Sequence, residues 1–213
     1  MRIRLTYDFW RRILPRYLAL RNGAAILECG FGPGSLLALM EGWFPIAEFY
    51  GVDIDRDAVR QVSQVIKRAK LIMASAETLP MRGEKFDLVL SLHMVEHLPH
   101  PQRFIAESLR VLRPGGIFVI ATPNPAGIGA KIMGAKWSGR IEDHISLMLP
   151  AEWRDLLTRN GFSILKEGTT GLSGIPIFRK FPLALLNWGP LFFWGFFPWK
   201  FGEAYICIAK KPV

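Results

Sequence analysis

The chain has 213 residues, of which half are hydrophobic and 21% are charged, enough apolar sequence for one substantial buried core. Its formal net charge of +9 favours anionic partners such as phosphates, nucleic acids or acidic lipid headgroups, without choosing among them. Cys29 and Cys207 lie far apart in apolar runs, which argues against a disulfide framework and offers no metal-ligand spacing. We therefore expect two buried free thiols and no bound metal.

The first predicted element is an amphipathic helix near the amino terminus. Between Tyr7 and Leu20, apolar residues occupy one helical face and arginines lie elsewhere, although Pro15 would kink such a helix. The apolar face comprises Phe9, Trp10, Ile13, Leu14, Tyr17 and Leu18. Charges interrupt the apolar residues here, unlike in a signal peptide, so we expect a cytoplasmic protein.

From Ala24 onward, short apolar runs alternate with helical stretches. The predicted strands are Ala25–Cys29, Phe49–Ile54, Leu71–Ala74, Phe86–Leu90 and Ile117–Ala121, with helices from Ser35, over Asp57–Arg68 and over Pro101–Leu112. Continuous apolar strands separated by helices predict a parallel sheet that is covered on both faces. We expect one doubly wound α/β domain over residues 1–213, with a ligand crevice at the carboxyl ends of the strands.

A glycine-rich turn follows the first predicted strand. Residues Glu28 to Gly34 read ECGFGPG, so the glycines fall on alternate residues behind an acidic strand end. Glycine lets the backbone turn sharply and lets a ligand approach bare amide groups at the start of a helix. A dinucleotide-binding fingerprint would need a further glycine at Ser35, so the spacing argues against a dehydrogenase.

Further motifs follow this turn in order. They are GVDID from Gly51, SAETLP from Ser75, FDLV from Phe86 with the turn through Glu96 and His97, LRPGG from Leu112, and the stretch from Leu149 to Phe162. Together with the glycine turn, these segments resemble the class I S-adenosylmethionine-dependent methyltransferases, and in particular the small-molecule "type 11" family. The resemblance covers roughly residues 24–167 and the final strand 204–209. It implies a Rossmann-like, mostly parallel seven-stranded sheet with an antiparallel last strand.

The resemblance also implies S-adenosylmethionine as the cofactor and a set of residues around it. The implied set is Glu28, Gly30, Phe31 and Gly32 at the methionine portion, Asp53 at the ribose hydroxyls, Ile54, Ser75, Ala76 and Glu77 at the adenine, and Ser91 and His93 beneath the sulfur. The family often has Asp where this chain has Ser75, so the adenine contact there could fall to the backbone or to Glu77. A leading helix commonly covers the active site in this fold, so we expect residues 1–21 to form a lid, with a membrane anchor as the alternative.

Methyl transfer to oxygen or nitrogen releases a proton, so a nearby general base is useful. Three histidines fall in or near predicted loops at the carboxyl edge of the sheet, and an imidazole is suited to this role. We therefore predict His93, His97 and His144 as candidate catalytic bases. For His97 the alternative is a packing role at the start of a helix.

Residues 169–202 form an unusually long connection between the last two predicted strands. No charged residue occurs from Phe181 to Trp199, and proline and glycine interrupt this stretch repeatedly. A spanning helix is disfavoured because it would also separate the last strand from its sheet. We expect an apolar insertion whose residues 181–199 cover a hydrophobic acceptor or contact a membrane interface, with a dimer contact or an extra core layer as the alternative.

These observations predict methyl transfer from S-adenosylmethionine to a small, apolar or lipid-linked acceptor, at oxygen rather than nitrogen or carbon. We expect the protein in the cytoplasm, associated with the inner face of a membrane. One alternative is a non-catalytic, membrane-peripheral protein that binds the cofactor. A nucleic-acid methyltransferase is disfavoured because the segment SLHM from Ser91 lacks the Asn/Asp-Pro-Pro-aromatic motif of base-amine methylators.

Overall fold

The computed structural model describes residues 9–18, 22–172, 175–180, 182–185 and 200–213. Within these ranges one sheet has seven strands, in the order β3-β2-β1-β4-β5-β7-β6. They are β1 (Ala25–Cys29), β2 (Glu48–Asp53), β3 (Ala69–Met73), β4 (Phe86–Leu92), β5 (Leu112–Pro123), β6 (Ser163–Thr169) and β7 (Ala204–Lys210). Strands β1 to β5 pair in parallel, whereas β7 runs antiparallel to both β5 and β6. The predicted doubly wound fold with an antiparallel last strand is confirmed.

Five α-helices connect the strands in the described part of the chain. They are α1 (Ser35–Trp43), α2 (Arg56–Val65), α3 (Pro101–Val111), α4 (Ile128–Met133) and α5 (Pro150–Arg159). Asp55 caps α2, because its side chain accepts a hydrogen bond from the amide of Asp57. Proline lies in the first turn of both α3 and α5. Backbone amides at this position have no partner within the helix, so the missing N–H of proline costs no hydrogen bond.

The sheet separates two hydrophobic cores, because successive strand residues point to opposite faces. Leu88 and Leu90 of β4 pack with α1 and α2 on one face. Val89 of the same strand packs on the other face with α3 and α5, including the fully buried Trp153. The full burial of one Val, Leu, Ile, Phe or Met side chain in these cores stabilises the fold by roughly 1.5–3 kcal/mol.

The amino-terminal segment joins the core on the α1 side of the sheet. Residues 9–13 are helical and continue as a short 3-10 turn over Leu14–Arg16, where Pro15 interrupts the regular helix. Five of the six side chains on the predicted apolar face are buried, namely Phe9, Trp10, Ile13, Leu14 and Leu18. Tyr17 is partly buried against the same core. That this segment acts as a lid stays a prediction.

The sequence-based boundaries differ from the structure most clearly at β5. The LRPGG segment was expected to be a turn before a strand at Ile117, but β5 already begins at Leu112. The pairing of β4 with β5 shifts register between Phe86 and Leu88, and Gly115 takes a φ of +76°. A bulge and a left-handed glycine therefore let the strand include this segment.

The edges of the other elements differ by a few residues. Helix α2 ends at Val65 rather than at Arg68, because β3 begins at Ala69, two residues earlier than predicted. Ile54 lies beyond the end of β2 rather than within it. Helix α4, which follows β5, was not predicted.

A long connection joins the end of β6 at Thr169 to the start of β7 at Ala204. Of the predicted apolar segment 181–199, only residues 182–185 are among the described residues, so most of that prediction lies outside them. No helix within the described ranges is both long enough and apolar enough to cross a membrane.

Candidate functional site

A cavity of about 390 Å³ lies at the carboxyl ends of the central strands. Its walls come from the amino-terminal segment, the glycine-rich turn, the end of β4 and the edge formed by β5 and β7. The lining residues are Phe9, Trp10, Glu28, Gly30, Phe31, Gly32, Pro33, Ser35, Leu36, Leu92, His93, Ala121, Thr170, Ala204 and Ile206. The cavity therefore lies where the doubly wound fold was predicted to place its ligand crevice.

The glycine-rich turn has left-handed backbone at three alternate residues. Gly30, Gly32 and Gly34 have φ angles of 73°, 46° and 71°. At Gly30 an added Cβ would lie 2.3 Å from Met94 Cγ, so close packing excludes any larger residue there. At Gly32 an added Cβ would meet no described atom within 4 Å. Gly32 thus leaves open space through which a ligand can approach the backbone of the turn closely.

Asp53 lies at the carboxyl end of β2 and is held against this turn. Its Oδ2 accepts a hydrogen bond from the amide of Gly32 at 2.8 Å, and its Oδ1 accepts one from the amide of Asp55 at 3.0 Å. Each carboxylate oxygen retains a lone pair that can accept a hydrogen bond from a hydroxyl. The neighbouring Ile54 is 75% exposed and presents an apolar surface beside this carboxylate.

Glu28 is a buried acid at the end of β1 and lines the cavity. Burial, together with the negative charge of Asp53, raises the pKa of its carboxyl group to about 8, and a hydrogen bond from the amide of Leu37 opposes this. Among the described residues, Glu28 Oε2 has no hydrogen-bond partner. A buried carboxyl group that lines a cavity and has an unpaired oxygen suits a cationic amine, so these residues fit the ammonium group of S-adenosylmethionine.

The residues predicted for the adenine lie in the loop that follows β3. The amide of Ala74 donates to the backbone oxygen of Asp53 at 3.0 Å, so this loop begins beside the predicted ribose site. Ser75 Oγ accepts from the amide of Glu77, and Glu77 Oε1 accepts from the amide of His100. Ala76 is buried in the core on the α3 side. Ser75 and Glu77 thus stabilise the loop itself, and their contacts with adenine stay a prediction.

The two residues predicted beneath the sulfur have different surroundings. Ser91 is fully buried, and its Oγ has no hydrogen-bond partner in the described part of the chain. It does not line the cavity, whereas its neighbours Leu92 and His93 do. His93 has a φ of 56°, a left-handed conformation that costs a residue other than glycine roughly 1–3 kcal/mol. Its Nδ1 lies 3.5 Å from Oε1 of the buried Glu96.

The other two candidate bases lie beside the cavity rather than among its lining residues. The rings of His97 and His144 contact each other edge to face, with their centroids 4.7 Å apart. His97 Nδ1 is 3.0 Å from the backbone oxygen of Asp143, and His144 Nδ1 is 2.7 Å from that of Gly139. The structure therefore brings only His93 of the three histidines into the cavity lining.

Several residues of this region were not predicted. Thr170, Ala204 and Ile206 line the cavity from the β6–β7 side. The fully buried Asn124 donates through Nδ2 to the backbone oxygens of Lys200 and Gly202 at 3.0 and 2.8 Å. These partners lie about 76 residues away along the chain, so no local motif indicates the contact.

Glu203 makes a similar long-range contact. Its Oε2 accepts a hydrogen bond from Trp137 Nε1 at 2.7 Å, and both side chains are buried. Together, Asn124 and Glu203 fasten the connection after β5 to the connection before β7. No sequence signal other than the residue types themselves pointed to either contact.

Comparison with known proteins places the chain among methyltransferases. A family model described as a methyltransferase domain matches residues 2–167. The ubiquinone biosynthesis O-methyltransferase of Bartonella bacilliformis is 30% identical over 168 residues, which cover 72% of this chain and 65% of the relative. The phthiotriol/phenolphthiotriol dimycocerosates methyltransferase of Mycobacterium tuberculosis is 33% identical over 109 residues, which cover 49% and 39%. The chain thus spans less than two thirds of the length of either relative.

Solved structures share the fold. A methyltransferase from Archaeoglobus fulgidus superimposes with a TM-score of 0.68 at 21% identity, over 98% of this chain and 94% of that one. The cyclase SpnF gives a TM-score of 0.69 at 19% identity, over 97% and 81%. Because the second is a cyclase, likeness of fold by itself does not establish methyl transfer.

Proposed function

Because the chain belongs to the class I S-adenosylmethionine-dependent methyltransferases, we propose that it transfers a methyl group to an oxygen of a small apolar acceptor. One observation carries this proposal: Glu28, whose Oε2 is buried without a hydrogen-bond partner among the described residues, lines an otherwise mostly apolar cavity beside the open backbone at Gly32. The cavity thus offers a site for a cationic amine next to space for an apolar molecule.

The cofactor, when bound, supplies the activated methyl group on its sulfonium. Glu28 would hold the ammonium group, and Asp53 would accept hydrogen bonds from the ribose hydroxyls. The turn around Gly32 would lie along the methionine portion. Ile54, which is largely exposed, would cover one face of the adenine. These assignments rest on the hydrogen bonds that already orient Asp53 and on the unpaired oxygen of Glu28.

We propose His93 as the general base, because it lines the cavity. An acceptor oxygen that gains a methyl group loses its proton, and the His93 imidazole lines the cavity in which this occurs. The Glu96 carboxylate, 3.5 Å from His93 Nδ1, would stabilise the charged ring once it holds the proton. We propose residues 9–18 as the lid of the site, since Phe9 and Trp10 line the same cavity.

The surface at the carboxyl edge supports a lipid-linked acceptor that is delivered at a membrane. Exposed apolar side chains occur in the connections after β5 and after β6, which meet where the amide of Ile128 donates to the backbone oxygen of Phe201. They are Ile132, Ile141, Ile145, Leu149, Ile177, Leu185 and Phe201. Lys131, Lys136, Arg140 and Lys200 lie in the same connections. Apolar and basic side chains together suit an anionic membrane surface.

The relatives agree with such an acceptor. One is named for ubiquinone biosynthesis and another for phthiotriol dimycocerosates, names that point to apolar compounds. We therefore propose a cytoplasmic protein that acts at the inner face of a membrane. The acceptor would enter the cavity from the lipid surface, past the amino-terminal segment.

Calorimetric titration with S-adenosylmethionine and S-adenosylhomocysteine tests the cofactor site. We expect micromolar dissociation constants, or about −8 kcal/mol, and at least tenfold weaker binding in Asp53→Ala and Glu28→Gln. Glu48→Gln is the matched control, because Glu48 lies at the opposite end of β2 from Asp53. Unchanged binding in both site variants would refute the assignment of the cavity.

Transfer of a radiolabelled methyl group tests the acceptor class. We would compare phenols and hydroquinones with alkyl tails of increasing length, free and in anionic or neutral vesicles. Turnover at saturating cofactor is expected to rise with tail length and with anionic lipid, and to fall in His93→Gln. Tight cofactor binding without turnover across the panel would instead favour the non-catalytic alternative.

A further inference from the structure

We propose that Glu96, His97 and His144 form a binding site for one divalent transition-metal ion. Glu96 and His97 belong to the 3-10 turn Val95–His97 after β4, and His144 to the connection between α4 and α5. One potential ligand atom of each side chain lies within 4.8 Å of the other two. Two imidazoles and one carboxylate are a donor set that proteins use for Zn²⁺ and Fe²⁺.

The hydrogen bonds of the two histidines leave one ring nitrogen of each side chain available. A backbone carbonyl can only accept, so the Nδ1 atoms that lie beside the oxygens of Asp143 and Gly139 must each carry the proton. Each neutral ring then offers the lone pair of Nε2. Histidines that bind metal ions have this same arrangement, with one nitrogen on the ion and the other donating to a carbonyl or carboxylate.

Glu96 supplies a buried negative group with unused capacity. Its side chain is 0% exposed, and its Oε2 accepts a hydrogen bond from Thr122 Oγ1 at 3.2 Å. Its Oε1 makes no hydrogen bond within the described ranges, although His93 Nδ1 lies 3.5 Å away. A buried carboxylate is costly unless its charge is met, and a cation at this oxygen would meet it.

Backbone hydrogen bonds hold the two segments of the site together without an ion. The amide of Ser146 donates to the backbone oxygen of Glu96 at 2.9 Å, and Ser146 Oγ donates to that of Leu98 at 2.6 Å. Tetrahedral ligands about 2.1 Å from an ion lie about 3.4 Å apart, so the three groups, which now lie within 4.8 Å of one another, must approach each other by up to about 1.4 Å. The exposed side of His97 leaves room for water or another ligand.

The donor set favours transition metals over Mg²⁺ or Ca²⁺. Imidazole nitrogen suits zinc, iron and cobalt, whereas the two alkaline-earth ions prefer sites made of oxygen atoms. Because Glu96 also lies beside His93, an ion here would sit one side chain away from the cavity. Glu96 takes part in both proposals, but a cobalt titration measures binding of the ion and not turnover, so the two proposals can fail separately.

Cobalt provides a direct spectroscopic test. Untagged protein, stripped of metal with a chelator, would be titrated with Co²⁺ while visible absorption is followed, and Zn²⁺ would then displace the cobalt. We expect one saturable ion per chain, and at least tenfold weaker binding, or about 1.4 kcal/mol, in His144→Gln and in Glu96→Gln. The matched control is His100→Gln, because His100 is exposed and lies outside the cluster. This control should bind cobalt as tightly as the unmodified chain.

Two results would overturn the proposal. One is the absence of a saturable cobalt spectrum in the unmodified chain, and the other is unchanged affinity in both site variants. Circular dichroism and the S-adenosylmethionine titration would confirm that each variant is folded. If removal of the buried Glu96 carboxylate prevents folding, His144→Gln alone decides, because its ring is only partly buried.

Discussion

The two sides of the cavity are built in different ways. The proposed cofactor side consists of Glu28, the glycine turn and Asp53, which lie within 26 residues of one another and are fixed by backbone angles and local hydrogen bonds. The β6–β7 side brings Ala121, Thr170 and Ile206 together from three distant parts of the chain. The first side therefore depends on glycine and charge, and the second on long-range packing and buried hydrogen bonds.

The largest effect is expected from Glu28→Gln, which removes the buried titratable group of the proposed cofactor side. In the folded chain the pKa of Glu28 lies near 8, above its ordinary value of 4.5, so folding favours the protonated acid between these values. The unfolding free energy should fall as pH rises from 4.5 to 8, by about 4 kcal/mol from this group alone. Denaturant unfolding of the unmodified chain and of Glu28→Gln should be compared at several pH values. The unfolding free energy of the variant should not show this fall between pH 4.5 and 8.

The same carboxyl group predicts proton release when the cofactor binds. Near pH 7 an acid with a pKa near 8 is mostly protonated, and pairing with an ammonium group would ionise it. Calorimetric titration in buffers of different ionisation enthalpy should therefore show release of nearly one proton. Equal apparent enthalpies in all buffers would contradict the role given to Glu28.

The next effect tests the backbone of the glycine turn. Gly30→Ala should lose about 3 kcal/mol of unfolding free energy, because a left-handed alanine is strained and its Cβ would also clash with Met94. Gly23 is the matched control, with a φ of 74° and no described atom within 4 Å of an added Cβ. Gly23→Ala should lose only about 1 kcal/mol and keep its cofactor affinity. If thermal and denaturant unfolding show the same loss for Gly30→Ala and Gly23→Ala, the contact with Met94 does not exclude a side chain at Gly30.

Asn124→Ala tests the long-range side of the comparison. The change leaves two backbone oxygens and the amide of Ala126 without their partner and should cost about 2 kcal/mol. Affinity for S-adenosylmethionine should stay within twofold, because none of these atoms belongs to the cofactor side. Asn160→Ala is the control, because the side-chain amide of Asn160 donates one local hydrogen bond, to the backbone oxygen of Leu156 in α5. Equal weakening of cofactor binding by both changes would erase the distinction between the two sides.

The smallest effect is expected from Thr170→Val, a change of similar shape in the cavity wall. It removes the hydroxyl oxygen that accepts from the amide of Ala204 and should cost about 1 kcal/mol. The KM for an apolar acceptor should change, while the dissociation constant of the cofactor should not. Thr158→Val, on the exposed face of α5, should leave both constants unchanged.

The sequence predicted the glycine-rich turn and the strands around it because their signals are local. Alternate glycines after an acidic strand end describe one turn, and the structure places Gly30, Gly32 and Gly34 in the left-handed conformation that only glycine adopts easily. Continuous apolar runs likewise predicted the parallel strands, because a strand buried on both faces has no polar alternation.

The rest could not be predicted for equally physical reasons. Strand β5 extends back to Leu112 across a register shift in its pairing with β4, and a register shift leaves no mark in composition. The contact of Asn124 with Lys200 depends on a separation of 76 residues. His93, His97 and His144 looked equivalent as candidate bases, and only the fold separates the first from the other two.

The position of β7 sets the order in which the molecule can assemble. This strand, residues 204–210, lies between β5 and β6, both of which precede it in the chain. During synthesis on the ribosome, β1 to β5 and the glycine turn can pair before β7 emerges, whereas β6 has no neighbour until then. Ala204 and Ile206, which lie on β7, therefore complete the wall of the cavity last. A nascent chain would thus form the glycine-rich turn before the β7 wall of the cavity, where the acceptor is proposed to bind, is complete.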